Sequence, residues 1–460
     1  MHRERSESQE RILAALRSSR ADYTEIRLET RSTTRIVYQG RRLETVDVIL
    51  DQGGIVRSLV RSGGWGVSTF NSLDDLERRV DQAYQSARLV QAEPIALASV
   101  AFTEDEVRAS LLTDYRQTPL AQKKELIASY NDILLSYGKI VDTQSAYADS
   151  FVTVTYANTE GAFIIEERPM VSVHLIATAR EGNNIQRAAD GLAVPAGYEQ
   201  VSGHEEAAHH VAQRAVTLLA AETVVGGVYP VICDPTLAGV FVHEAFGHLS
   251  EADFVYANPE AQEMMVFGRR FGRDLLTIVD DGTLPGLRGT HRYDDEGTPM
   301  RRNALVREGI LVGRLHSRET AAKMGEAVTG NARAETYRFA PLVRMTNTFI
   351  EPRQASFEEL VSDIKLGVYA CDSMGGQTAL ENFSFSAGYG YMIRDGRIAE
   401  MVKDVILSGN LFTTLQNIDA IGNDLTFSKL GMCGKGQGSG LPVSTGAPHI
   451  RIQGVVMGGR

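Results

Sequence analysis

Two segments of the chain read His-Glu-x-x-x-His, one from His204 to His209 and one from His243 to His248. Imidazoles flanking a carboxylate on a helix are the side chains a metal-assisted hydrolase needs. The neutral rings hold a cation and the carboxylate moves a proton. The two copies sit in different surroundings. In the first, Ser202 and Glu205 form a capping-box pattern, and Glu205 and Glu206 fall in a first helical turn, where the helix dipole favours acids. The apolar stripe of that helix is Ala208, Val211, Ala215, Leu218 and Leu219. His209 falls off its centre and His204 lies in the fraying first turn, so this copy reads as a solvated helix face.

In the second copy, an apolar strand Val228–Cys233 runs into Asp234 and Pro235, an N-cap followed by proline at the first helical position. The stripe Leu237, Val240, Phe241 continues at helical spacing onto Glu244 and His248. A Glu and two His with no local Lys or Arg are costly to bury without a metal or a proton role. The spacing also sets a constraint. Histidines four apart lie about 40° apart around an ideal helix, but five apart they lie about 140° apart. Both rings face one ion only if the helix breaks or takes an extra residue into one turn. Gly247 is the natural place, and the spacing predicts a helix that ends or bulges at residues 246–249. Glu244 would then lie beside the ion, placed to take a proton from water.

A catalytic zinc site usually has three protein ligands. The residues alone leave the third open among Cys233 at a strand end, Cys371 in Val-Tyr-Ala-Cys-Asp, and Cys433 in the Gly-rich run from Gly431 to Gly438. Cys433 leads, because glycines let the backbone approach closely and Lys435 would favour the thiolate. The same run matches neither GxxxxGK[ST] nor GxGxxG, and no GxSxG occurs, so phosphate-loop and serine-elbow readings lack support. Asp294, Asp295 and Glu296 form an acidic turn, read as solvated in preference to a hard-cation site.

The elements that position these residues read as α+β, in two domains of mostly antiparallel sheets with a few long helices. Residues 1–225 hold a short amphipathic helix at 6–20, β-rich stretches Asp22–Leu28, Thr34–Gln39, Leu43–Leu50 and Ile55–Val60, and a helix to about residue 90 that opens on a Ser72/Asp75 capping box. A helix from Thr118-Pro119 to about Tyr137 follows. Strands then cover 140–148, 151–157, 162–166 and 170–179, with a hairpin turn at Asn158–Gly161, and a helix at 203–222 closes the half. Residues 226–460 carry helices at about 235–250, Ser317–Met324 and Phe357–Ile364, and are otherwise short strands and Gly-rich turns, a β-rich half. The acidic surplus, 58 Asp and Glu against 47 Lys and Arg, speaks against a general nucleic-acid binder, and three cysteines are too few for a disulfide scaffold. With no signal peptide, apolar span or lipidation motif in the sequence, a soluble cytoplasmic protein is expected.

The chain resembles the TldD/PmbA family of zinc metallopeptidases, on the TldD-like catalytic side. The resemblance rests on HEAFGH at 243–248 followed by Glu251, Ala252, Asp253 and Phe254, and on DDEGTP at 294–299. It continues through Thr329–Arg338, Met345–Thr348, Gly375–Gln377, Met432–Lys435 and the terminal Gly458 and Gly459. It implies one zinc held by His243, His248 and Cys433, with Glu244 as general base, no other cofactor, and hydrolysis of short or unfolded peptides inside an enclosed dimer chamber. It implies a homodimer or a heterodimer with a paralogous subunit; the acidic composition and the lack of an apolar span point to no direct nucleic-acid contact and no membrane. A non-catalytic peptide-binding subunit, or a regulator of a partner protein, is the alternative.

Overall fold

The computed structural model describes residues 6–90, 93–101, 104–379, 381–436 and 440–458. The first half is built on a seven-stranded sheet: β1 (Tyr23–Gln39), β2 (Arg42–Val60), β3 (Gly64–Phe70), β4 (Glu104–Val107), β5 (Ile140–Asn158), β6 (Phe163–Glu181) and β7 (Asn184–Val194). Its order is β3-β2-β1-β5-β6-β4, with β7 also beside β6, and only β4 runs parallel to its neighbour. The stretches expected as separate short strands are continuous. The stretch from Glu29 to Thr33 reads as a break, yet it is paired on both sides, Thr30 with Gln52 and Thr153, Thr33 with Ile49 and Ser150. Ladder bonds on two edges override weak local preference. Gly53 and Gly54 look like a turn but lie within β2, where a Cβ on Gly53 would stand 2.3 Å from the Tyr337 ring.

Four helices complete this half: α1 (Glu7–Arg17), α2 (Leu76–Leu89), α3 (Leu120–Leu135) and α4 (Glu205–Leu218). α1 and α2 bury Ile12, Leu16 and Val80 with Ile26 and Val56 of the sheet, and α3 and α4 bury Ile127, Tyr130, Val211 and Ala215 with Tyr147 and Val173. Two expected caps differ. Ser72 donates to Asp74 and α2 starts after Asp75. Ser202 lies outside α4, because Gly203 in the left-handed region (φ 78°) inserts a residue and leaves His204 as the N-cap. The portion of β2 from Arg42 to Gly53 has β1 on one side and, among the described residues, no strand on the other, since β3 begins its pairing at Gly54.

In the second half, strand Gly227–Cys233 lies inside a ten-stranded sheet between Ile450–Gly458, antiparallel, and Leu366–Cys371, parallel. It feeds α5 (Pro235–Val242), which starts as the sequence implies: the Asp234 carboxylate accepts from the Leu237 N–H at 2.8 Å, with Pro235 in the first turn. α5 also packs on a six-stranded sheet that contains Ile278–Asp281, Asn347–Ile350 and Ser444–Ala447. A Cβ on Gly239 would lie 2.9 Å from the Gly446 nitrogen, so helix and strand meet backbone to backbone. Leu237 and Phe241 are buried in the main core, where Phe241 packs edge-on against Phe383 and Phe385.

The acidic turn is not solvated. Asp294, Asp295 and Glu296 are all buried, at the seam between the two halves. Asp294 accepts the N–H groups of Glu296, Thr298 and Ala332. Asp295 takes Arg168 at 2.9 Å and lies 3.4 Å from Arg27. Glu296 lies 3.5 Å from Arg57, which donates to Glu25 at 2.6 Å. Arginines from β1, β2 and β6 supply Asp295 and Glu296 with the counter-charge that a cation would otherwise bring, while burial pushes the Asp294 carboxyl up.

Candidate metal centre

Beyond Val242 the helix changes pitch. Residues His243–Gly247 form a π turn, closed by the His248 N–H donating to the His243 carbonyl, and His248–Ser250 tighten into a 3-10 turn. The wide turn takes in the extra residue that the five-residue spacing demands. It begins earlier than the 246–249 bulge expected from Gly247, but Gly247 is essential to it sterically. Its φ of −58° is ordinary, whereas a Cβ would stand 2.0 Å from the Met345 sulfur. The wide turn also changes which residue is buried. On an ideal helix Glu244 and His248 would lie on the buried stripe; here His243 is 2% exposed, while the side chains of Glu244 and His248 are about one-third exposed.

The turn brings the two imidazoles together, with ring centroids 5.3 Å apart. Cys433 arrives from a two-residue strand, Met432–Cys433, paired with Leu441–Pro442. One ligand atom each from His243, His248 and Cys433 lies within 4.8 Å of the others. The Cys433 sulfur is 3.3 Å from His248 Nε2, and the Glu244 carboxylate is 3.9 Å from the same nitrogen. Both ring nitrogens of His243 are buried without a hydrogen-bond partner. A buried imidazole normally finds partners, so an orphaned one beside a thiol and a second imidazole fits a divalent ion of borderline softness.

The electrostatics agree. Burial pushes the Cys433 thiol up, but the imidazoles of His243 and His248 outweigh it and hold it down at about 5. For His243 the effect is one of proximity, since neither ring nitrogen makes a hydrogen bond. Burial would lower His248, yet Cys433 and Glu251 raise it to about 10. His248 turns Nδ1 to Glu251 at 3.3 Å, which leaves Nε2 aimed at Cys433 and Glu244. A carboxylate behind a ligating histidine fixes its tautomer and orientation. Glu251 is itself buried; burial pushes its carboxyl up, but His248 and Lys435 hold it below the usual range.

Lys435 does not serve the thiolate as the sequence suggested. Its Nζ sits 2.9 Å from Glu251, 2.7 Å from Asp253 and 3.1 Å from the Val343 carbonyl. Cys233 and Cys371 are buried free thiols, pushed up chiefly by burial, and act as small packing residues. The first His-Glu copy stays apart. His204 Nε2 bonds the Gln200 carbonyl, and His209 meets the Tyr137 hydroxyl at an exposed site. Gln437 and Gly438 of the Gly-rich run, and Gly459 of the sequence signature, lie outside the described residues. Sequence reasoning assigned no role to Glu251, although a carboxylate three residues after His248 was a readable signal. It had no access to Arg344, which is fully buried and donates to the Cys433 carbonyl.

Comparison with known proteins bears on this arrangement. Three family models match in succession: PmbA/TldA metallopeptidase domain 1 over residues 24–87, the central domain over 114–221 and the C-terminal domain over 226–459. A Synechocystis protein named as a metalloprotease is 44% identical over 447 residues, 96% of each chain. A Saccharolobus solfataricus protein named as a zinc metalloprotease TldD homolog is 34% identical over 319 residues, 68% of this chain and 70% of that one. The crystal structure of TldE from Thermococcus kodakarensis superposes with a TM-score of 0.77, covering 98% of this chain and 100% of that one at 16% identity, a likeness of fold.

Proposed function

The chain belongs to the TldD/PmbA family of metallopeptidases, and from that membership we propose that it is a zinc peptidase whose metal is held by His243, His248 and Cys433, with Glu244 as general base. The observation that carries the assignment is the orphaned His243 ring, buried within ligand distance of Cys433 and His248. Two imidazoles and a thiolate favour zinc among divalent ions. Bound there, zinc would supply the Lewis acidity that polarises a scissile carbonyl and acidifies a water. The chain's own groups do the rest. Glu251 holds His248 in the tautomer that presents Nε2. Glu244, one-third exposed at the mouth of the cluster, accepts the proton of the attacking water and returns it to the leaving amine.

The substrates in this reading are short or unfolded peptides, cleaved within a chamber that a dimer encloses. The residue 226–460 portion carries the chemistry and residues 1–225 build the pairing surface. The free edge of β2 supports this, with Val48, Ile49 and Leu50 exposed at 63%, 53% and 80%. Residues 46–50 of this edge are apolar apart from Asp47, and an apolar edge is an aggregation site unless another strand covers it. A second copy or a paralogous subunit would do so, and the shared fold with TldE suits either. Glu244→Gln tests the base. The variant should hold one zinc per chain and lose about 10²–10⁴-fold in turnover. Turnover at the parent rate would remove Glu244 from the mechanism.

A further inference from the structure

The hairpin that presents Cys433 is too short to hold itself. Its ladder is two residues on each side, and Gly431, Gly434, Gly436 and Gly440 flank it. Isolated two-stranded pairs are marginal in water even when longer. Three guanidinium groups are buried against its backbone. Arg288 Nη1 donates to the Gly431 carbonyl at 2.6 Å, and Nη2 lies 3.4 Å from the Met432 sulfur. Arg344 Nη2 donates to the Cys433 carbonyl. Arg333 donates to the Pro442 carbonyl at 2.8 Å and to the Met345 carbonyl at 2.6 Å.

All three are buried, at 8%, 0% and 2% exposure for Arg288, Arg344 and Arg333. Among the described residues none is hydrogen-bonded to a carboxylate, and the nearest acid is Glu251, 3.9 Å from Arg344 Nε. Burial pulls Arg288 and Arg333 down to about 10, the mark of cations kept at a cost. The carbonyls they grip bracket the ligand: two residues before it, the ligand itself, and Pro442, which pairs with Met432 on the facing strand. Arg344 also stands beside the carboxylate that orients His248, so one side chain refers the two ligands to each other.

We propose that Arg288, Arg333 and Arg344 are positioning residues that clamp the paired segments 431–433 and 441–442 and fix the Cys433 sulfur against His243 and His248. The clamp rests on the reading of Cys433 as a ligand, and its test separates the two. Cobalt(II) is titrated into the metal-free full chain of the parent, Arg288→Met, Arg344→Lys and Cys433→Ser. The affinity and the thiolate-to-cobalt charge-transfer band are followed, alongside thermal unfolding. Cys433→Ser should lose the band. Arg288→Met and Arg344→Lys should bind cobalt roughly 10–100-fold more weakly, the usual effect of losing an outer-shell partner, with a weakened thiolate band. Parent affinity and band in both arginine variants would overturn the clamp, even if their unfolding temperatures fell, because a merely structural role moves only the latter. A parent band in Cys433→Ser would overturn the ligand assignment and the clamp with it. Arg344→Lys keeps a cation and a donor, so the test does not depend on a core left empty.

Discussion

Zinc uptake should release one proton, and the affinity should track pH accordingly. In the metal-free centre the Cys433 sulfur and His248 Nε2 lie 3.3 Å apart, placed to form a thiolate–imidazolium pair. Burial opposes both charges, but the imidazoles bring the thiol down to about 5, while Cys433 and Glu251 bring His248 up to about 10. Between those limits the pair carries one proton, on His248. A cation that takes Nε2 must displace it. Raising the pH removes the competitor and strengthens binding, and lowering it weakens binding. The dependence is about tenfold per pH unit, so from about pH 7 to about pH 9 affinity should rise about a hundredfold, or about 2.7 kcal/mol. Calorimetric titration of the metal-free protein with zinc, in buffers of different ionisation enthalpy, counts the protons directly. The expected count near pH 8 is about one per zinc. A count near zero with pH-independent affinity would mean that neither Cys433 nor His248 holds a proton in the metal-free centre, and would refute the ion-pair account.

Three further outcomes are expected. Gly247→Ala would push a methyl to 2.0 Å from the Met345 sulfur, inside a fully buried contact, and should cost about 1–3 kcal/mol and weaken zinc binding by disturbing the π turn; parent values of unfolding temperature and zinc affinity would show the turn does not depend on that contact. Cys433→Ser should fold, with an unchanged far-ultraviolet spectrum, and hold much less zinc by elemental analysis; one zinc per chain would hand the third ligand to another residue. Val48→Lys together with Leu50→Lys places two charges on the free edge of β2, and should convert a dimer into a monomer by light scattering; an unchanged mass would put the pairing surface elsewhere.

What could be read from the sequence, and what could not, follows from whether the cause is local. The five-residue spacing of His243 and His248 demands a wide turn by geometry alone, and the π turn is there. Asp234-Pro235 starts α5 because both signals act within one turn. The Ser202/Glu205 box fails for a reason one residue wide, the left-handed Gly203. The acidic turn at 294–296 looked solvated because its partners Arg27, Arg57 and Arg168 lie more than a hundred residues away. The choice among three cysteines was equally non-local, since Cys433 meets His248 across 185 positions of chain. The Gly-rich setting of Cys433 signalled close approach, but the buried arginines that receive the loop carry no sequence signal, as each contacts backbone carbonyls and leaves no charge partner to notice.

The central claim is that one metal at His243, His248 and Cys433 sustains peptide hydrolysis. The most direct measurement is elemental analysis of the freshly purified chain, paired with cleavage of an unstructured peptide before chelation, after chelation and after zinc is restored. The account predicts about one zinc per chain, cleavage that disappears with the metal, and cleavage that returns with it. Undiminished cleavage by the metal-stripped protein would contradict it.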